Sequence, residues 1–197
     1  MAETIETRPF PPFLPKKATV MMMGTFPPEQ SKRAMEFHYP NFQNDMWRVF
    51  GLVFFDEKDH FRNGEEKAMD PEKIKVFLSE AGIASCPTVL KAIREKENAS
   101  DAFLKVVEPV PLADVLEQIP DCKHIGTTGG KATEILLSLL PEKVKLPKTG
   151  ETIPFVFNGR ELTLTRLPST SRAYPLSLPK KAEAYKNFFK ACGLKTK

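Results

Sequence analysis

The sequence contains only three cysteines in 197 residues, Cys86, Cys122 and Cys192. They are far apart and odd in number, which excludes a disulfide framework, a CxxC redox or metal site and a four-cysteine iron–sulfur cluster. The three histidines also lack the spacing that is typical of metal ligands. We therefore expect no metal ion.

Long apolar segments are lacking as well, since no run approaches the roughly 20 residues that cross a bilayer. Residues 1–6 are polar and acidic, without the basic and apolar regions of a secretory signal. We therefore expect a cytoplasmic protein that does not enter a membrane. The composition, 41% hydrophobic and 27% charged, is typical of a globular chain and excludes general disorder.

Two common catalytic signatures are absent. The glycines before Lys131 do not have the Gly-x-x-x-x-Gly-Lys-[Ser/Thr] spacing of a nucleotide-binding P-loop, which excludes an NTPase of that type. The sequence also has no Gly-x-Ser-x-Gly elbow, and this absence argues against an ordinary α/β hydrolase.

Positive charge is concentrated near the C-terminus. Residues 143–197 contain 12 lysines and arginines against 3 acidic residues, whereas residues 1–142 contain 17 against 22. A basic surface of this kind favours binding to nucleic acid, because neutralised phosphates release their counterions. Solvated, lysine-rich helix faces produce the same imbalance, so the charge alone leaves both interpretations open.

The N-terminal residues 8–15 contain four prolines, which restrict the backbone and remove hydrogen-bond donors. This composition excludes a helix or a central strand and predicts an extended arm. We assign residues 1–17 to the arm and residues 18–197 to a single domain, since a chain of this length is expected to form one core.

Hydrophobic periodicity and turn residues predict an α/β protein. The apolar run 18–23 and residues 124–128 are typical of buried strands, and residues 153–167 form a predicted hairpin around Asn158 and Gly159. Strands that alternate with helices indicate a parallel sheet covered on both faces. The predicted helices span residues 44–55, 71–81 between the capping residues Asp70 and Gly82, 112–119, 132–140, and the segment after Pro179 up to Gly193.

Three loops follow predicted strand ends, at residues 24–27, 128–131 and 167–172. Ligands of parallel α/β sheets bind beyond the carboxyl ends of the strands, so we expect the loops to converge on one site. The glycines before Lys131 offer amide donors to an anion, and the hydroxyls and the arginine of the third loop offer donors to phosphate. Taken singly, each loop is equally compatible with a tight connection or a helix cap.

Several motifs, in their order along residues 20–189, resemble those of the uracil-DNA glycosylase superfamily. The hypoxanthine-DNA glycosylase branch is the most similar, beside the mismatch-specific enzymes. The motifs are Gly24-Thr25-Phe26-Pro27, residues 39–47 (Tyr-Pro-Asn-Phe-Gln-Asn-Asp-Met-Trp), residues 82–89, Arg94 followed by Ala99-Ser100-Asp101, Thr128-Gly129-Gly130-Lys131-Ala132 and Leu167-Pro168-Ser169-Thr170-Ser171.

The resemblance implies a three-layer α/β/α sandwich with a central, mainly parallel four-stranded sheet. It also implies a monofunctional DNA glycosylase of DNA repair, whose partner is DNA with a deaminated or mismatched base such as uracil or hypoxanthine. Such an enzyme flips the base into a pocket and hydrolyses its N-glycosidic bond without a metal or cofactor. We expect it to act as a monomer.

The resemblance further implies roles for individual residues. Asn44 matches a motif asparagine and is the catalytic candidate, which positions water or stabilises the leaving base. Tyr39 matches the aromatic residue on which the base stacks, although a buried tyrosine near Trp47 is the alternative interpretation. The other implied base-pocket residues are Gly24, Thr25, Phe26, Pro27, Thr128 and Gly129, and the implied DNA-binding residues are Lys131, Ser169, Thr170, Ser171 and Arg172.

Phe26 stands where several branches have an Asp or Asn that handles water, as an apolar residue does in the hypoxanthine branch. The chain departs from that branch at three other positions. Thr128 stands where the branch has an Asn that reads the base edge, and Pro28 replaces the small residue that commonly follows the first motif's proline. Arg172 begins a segment that replaces the branch's Pro-Ala-Asn continuation. These departures keep open a second hypothesis, a non-catalytic nucleic-acid or nucleobase-binding protein of the same fold.

Overall fold

The computed structural model describes residues 2–95 and 101–197. Its strands are β1 (Ile5–Thr7), β2 (Val20–Met23), β3 (Ile83–Ser85), β4 (Val89–Arg94), β5 (Leu104–Pro109), β6 (His124–Thr128), β7 (Thr152–Phe157) and β8 (Arg160–Leu167). Its helices are α1 (Met46–Phe55), α2 (Pro71–Ala81), α3 (Leu112–Glu117), α4 (Gly130–Ser138) and α5 (Leu178–Ala191).

The central sheet has the strand order β3-β2-β6-β8-β7. The first four strands are parallel, and β7 pairs antiparallel with β8. This arrangement confirms the predicted α/β class and the largely parallel sheet. The implied number of four strands is wrong, because the hairpin adds β7 as an antiparallel edge to four parallel strands.

Helices cover both faces of this sheet. Alternate side chains of β2 point to opposite faces, so Val20 and Met22 contact one core cluster while Met21 and Met23 contact another. The first cluster lies against α1, α2 and α5, and the second against α3 and α4. All four β2 residues are buried, which is the pattern of a strand between two helical layers. The three-layer arrangement is therefore confirmed.

Local capping signals account for the bounds of two helices. The Asp70 carboxylate accepts hydrogen bonds from the backbone amides of the first turn of α2, and Gly82 ends the helix with φ +72°, as predicted. Helix α1 begins at Met46 instead of Asn44, because the Asn44 side-chain oxygen accepts a hydrogen bond from the Met46 amide. Within the described ranges, no helix is long and apolar enough to cross a membrane.

A second sheet, in the order β1-β4-β5, is antiparallel and was not predicted. β1 belongs to the predicted arm, so the N-terminal segment adds a strand to this sheet. Its pattern is hard to recognise because β1 has only three residues and the pairing of β4 with β5 shifts in register around Lys91. The division of the chain at residue 17 remains a prediction.

Candidate functional site

The three predicted loops converge on one cleft of about 630 Å³ at the carboxyl edge of the central sheet. They meet there because β2, β6 and β8 are adjacent and parallel, so their ends lie side by side. The loops contribute Gly24–Pro27, Thr128 and Ser169–Arg172 to the lining, together with Tyr39 and Asn44 from the segment before α1.

Tyr39 forms one wall of the cleft. Its hydroxyl lies 3.0 Å from Thr128 Oγ1, and its ring packs edge-on against Trp47. Burial raises the pKa of Tyr39, so the hydroxyl stays protonated at neutral pH. Gly24 allows this close approach, since a Cβ at that position would lie 2.7 Å from the Tyr39 hydroxyl.

Arg94 of the second sheet holds the first loop in place. The Arg94 guanidinium lies over the Phe26 ring and donates a hydrogen bond to the Pro27 carbonyl oxygen. Arg94 also forms an ion pair with Glu6 of β1 at 2.8 Å. The second sheet therefore supports the apolar wall that Phe26 presents to the cleft, a connection that the sequence pattern did not indicate.

Asn44 lies two residues before α1 and lines the cleft. Its Oδ1 accepts a hydrogen bond of 2.9 Å from the Met46 amide, so the side-chain carbonyl is occupied by the helix terminus. The side-chain NH₂ group is therefore the part of Asn44 that is oriented as a donor for a bound molecule.

A buried ion pair positions the third loop. Lys181 is only 1% exposed, and its Nζ donates to Asp45 Oδ2 at 3.1 Å and to the Ser171 carbonyl oxygen at 2.9 Å. Asp45 also contacts Arg172 at 3.3 Å, and its amide donates to the Thr170 carbonyl oxygen. This network links α1, α5 and the third loop.

Sequence reasoning missed the roles of Asp45 and Lys181. One signal was present, because Lys181 lies on the same helical stripe as Tyr185 and Phe188, four and seven residues later. A lysine on an apolar stripe is fully buried only when it has a partner. Nothing in the local sequence identifies Asp45 as that partner.

His38 and Ser85 form a second polar pair in the cleft wall. His38 Nε2 lies 2.9 Å from the Pro11 carbonyl oxygen, which can only accept, so this nitrogen carries the proton. Nδ1 then accepts a hydrogen bond of 2.6 Å from the Ser85 hydroxyl. Burial lowers the pKa of His38 to about 4, so the ring is neutral at neutral pH. Ser85 therefore presents lone pairs, not a proton, to the cleft.

Asp101 contributes a carboxylate to the cleft. Burial raises its pKa, while a hydrogen bond from Thr25 and the positive charges of Lys131 and Arg94 act in the opposite direction. The two motif residues before it, Ala99 and Ser100, lie outside the described residues.

Two predicted residues do not line the cleft. Gly129 lies behind it with φ +102°, and a Cβ there would lie 3.4 Å from Cβ of Ser169. Lys131 lies in the first turn of α4. It affects the site because its positive charge lowers the pKa of the Asp101 carboxyl group. The N-terminal segment instead supplies lining residues that were not predicted, Arg8 and Phe10. In residues 2–95 and 101–197, no three His, Cys, Asp or Glu side chains come together as metal ligands.

Comparison with solved structures identifies the fold. The structure is similar to the solution NMR structure of a "putative Uracil DNA glycosylase" from Methanosarcina acetivorans, with a TM-score of 0.64. This is a uracil-DNA-glycosylase-like fold. The match covers 96% of this chain and 99% of the other, at 21% sequence identity. No protein-family model and no curated protein matches the sequence.

The uracil-DNA-glycosylase-like fold agrees with the architecture that the sequence resemblance implies. The cleft lies where parallel α/β sheets bind ligands, and it combines the apolar surfaces of Phe26 and Tyr39 with a small number of oriented polar groups. Ser171 and Arg172 are exposed at its rim. The arrangement is suited to a planar polar group in the cleft and an anion at the rim.

Proposed function

We propose that the protein is a monofunctional DNA glycosylase that hydrolyses the N-glycosidic bond of a deaminated or mismatched base in DNA repair. It acts as a monomer, without a metal or cofactor. The observation that carries the proposal is the cleft of a uracil-DNA-glycosylase-like fold, in which Tyr39, Asn44 and the third loop meet. Uracil, hypoxanthine and related bases are the proposed substrates.

The proposed base pocket is formed by Gly24, Thr25, Phe26, Pro27, Tyr39 and Thr128, with Gly129 behind it. A base that leaves the duplex loses stacking and pairing worth a few kcal/mol, least for a mismatched base. Stacking on an aromatic ring restores roughly 1–3 kcal/mol, which is the role we assign to Tyr39. The lone pairs of Ser85 provide an acceptor for a base N–H group.

Asn44 is the proposed catalytic residue. Hydrolysis requires an oriented water and stabilisation of the negative charge that develops on the leaving base. Since the Asn44 carbonyl is bonded to the Met46 amide, its NH₂ group has a fixed direction and serves one of these two tasks. Phe26 cannot contribute to either task.

The rim of the cleft is the proposed contact to the DNA backbone. Ser169, Ser171 and Arg172 would contact phosphates, with Lys131 contributing positive charge. Backbone contacts of this type position the protein without reading sequence. The predicted Thr170 is only 2% exposed and instead supports the loop, since its carbonyl oxygen accepts from the Asp45 amide. The Lys181–Asp45 pair supports the proposal because it fixes this loop relative to Asn44.

The variant Asn44→Asp tests the catalytic assignment. It keeps the oxygen that accepts from the Met46 amide and removes the NH₂ donor. Loss of one preorganised donor typically lowers the rate by roughly 10²–10³-fold, so single-turnover base release should fall by this factor with little change in stability. The matched control is Gln43→Glu, which adds the same charge at the neighbouring cleft residue. A wild-type rate in Asn44→Asp would remove Asn44 from the mechanism.

A nucleobase-binding protein without hydrolytic activity is the second candidate function. Two observations favour it, the apolar Phe26 in the first loop and Thr128 beside Tyr39. This protein would bind DNA or a free base in the same cleft and release no base from any duplex. Its affinity for DNA or for a free base should fall no more in Asn44→Asp than in the charge control Gln43→Glu.

A further inference from the structure

The proposed function assigns no role to the carboxylate of Asp101. Among the described residues that line the cleft, it is the one acidic side chain. The nearby Asp45 carboxylate is occupied by Lys181 and Arg172 behind the third loop. Asp101 instead begins a single helical turn, Asp101–Phe103, that precedes β5 and borders the cleft.

Asp101 lies at the same end of the cleft as the first loop and Tyr39. Thr25 of the first loop hydrogen-bonds to its carboxylate, and the charge of Asp101 acts on the Tyr39 hydroxyl. Lys131 of α4 and Arg94 of β4 are the positive groups that face it. Asp101 is therefore next to the proposed base pocket.

The other polar groups that line this end of the cleft are not available as proton acceptors. Both ring nitrogens of His38 are engaged, by Ser85 and by the Pro11 carbonyl. Burial raises the pKa of the Cys86 thiol to about 11. The Asn44 amide does not accept protons at neutral pH. Asp101 is the described cleft group whose chemistry fits proton acceptance.

We propose that Asp101 is a second catalytic residue, which accepts a proton from the attacking water. The inference rests on the proposed glycosylase function. The water oxygen bonds to C1′ of the deoxyribose while the C1′–N bond breaks and its electron pair stays on the base nitrogen. One water proton passes to the Asp101 carboxylate and is then released to solvent, while the departing base takes up one proton from solvent.

The environment of Asp101 suits this role. Burial raises the pKa of its carboxyl group. A pKa closer to the working pH makes the carboxylate a better general base. Thr25, Lys131 and Arg94 favour the ionised form and so keep a proton-accepting carboxylate in the cleft. The arrangement supplies the proton acceptor that Phe26 does not.

The test measures single-turnover base release by wild type, Asp101→Asn and Asp101→Ala from acid to neutral pH. In wild type the rate should fall as the pH drops through the pKa of Asp101, because the protonated carboxyl group cannot accept a proton. Asp101→Asn should lose roughly 10²–10⁴-fold in rate together with this acid limb. Formate should restore part of the rate of Asp101→Ala, which a merely structural role would not allow.

A matched control and a second variant make the test specific. Asp121→Asn changes an exposed carboxylate just before the amino end of β6, away from the cleft, and should behave as wild type. Thr25→Val keeps the Asp101 carboxylate and removes its hydrogen bond, so its acid limb should move to higher pH.

The outcomes separate the two proposals. If wild type releases a base and Asp101→Asn retains the wild-type rate and pH profile, the role of Asp101 is overturned while the glycosylase function stands. An unchanged acid limb in Thr25→Val also overturns it, even if Asp101→Asn does not fold. If wild type releases no base from any duplex, both proposals fail.

Discussion

The buried pair of Lys181 and Asp45 should make a large contribution to stability. In Lys181→Met, the Asp45 carboxylate stays buried and the Ser171 carbonyl loses its donor. Removing one partner of a buried ion pair typically costs about 3–5 kcal/mol, whereas exposed pairs contribute about 0.2–1 kcal/mol. The exposed Arg172 and the buried Arg48 still contact Asp45, at 3.3 and 3.9 Å, so we expect a loss at the lower end of this range, about 3 kcal/mol.

Urea unfolding followed by the fluorescence of the single tryptophan, the buried Trp47, measures this loss. With a slope of about 2 kcal/mol per M, the midpoint of Lys181→Met should fall by about 1.5 M. The control Lys180→Met changes the exposed neighbour in the same helix and should stay within about 0.5 kcal/mol of wild type.

The double variant Lys181→Met with Asp45→Asn isolates the cause. Because no buried carboxylate is left, and Arg48 keeps its hydrogen bonds to the Phe42 and Asn44 carbonyl oxygens, it should be more stable than Lys181→Met alone. A loss below about 1 kcal/mol in Lys181→Met would refute the reasoning, since that is the range of exposed pairs. A double variant as unstable as the single variant would also refute it.

Two further predictions concern salt and pH. Arg172→Ala should weaken DNA binding and lower the log–log salt slope by about one unit, because one phosphate contact is lost; an unchanged slope in a binding titration would contradict the contact. Because the pKa of buried His38 is lowered to about 4 from 6.5, the unfolded chain binds a proton between these values and the folded chain does not. The unfolding free energy should therefore decrease from pH 6.5 towards 4, by up to about 1.4 kcal/mol per unit from this group, and His38→Gln should remove that part of the slope.

Elements with local signals could be predicted from the sequence. Helix α2 follows from Asp70, Pro71 and Gly82, which act within one turn of its ends. The β7–β8 hairpin follows from Asn158 and Gly159, whose φ values of +49° and +79° are those of a tight hairpin turn. Strands β1, β4 and β5 could not be predicted. β1 has only three residues and pairs with β4 about 88 positions away, whereas β4 pairs with the nearby β5 through an irregular register.

The candidate site also has a part that the sequence could predict and a part that it could not. The convergence of the three loops follows from the parallel order of the strands that precede them, a rule that depends on topology alone. Arg8 follows β1, so its place in the cleft depends on the long-range pairing of β1 with β4, and Asp101 enters the cleft from the turn before β5. The partner of Lys181 is 136 residues away along the chain, which no local pattern encodes.

The most direct test of the account is an excision assay with the wild-type protein. Duplexes that contain uracil, hypoxanthine, xanthine or a G·T mismatch are incubated with the protein, and abasic sites are then converted to strand breaks. The account predicts cleavage at the modified position of at least one duplex, with the free base released. Binding to these duplexes without cleavage of any of them would contradict the glycosylase function and favour the nucleobase-binding protein.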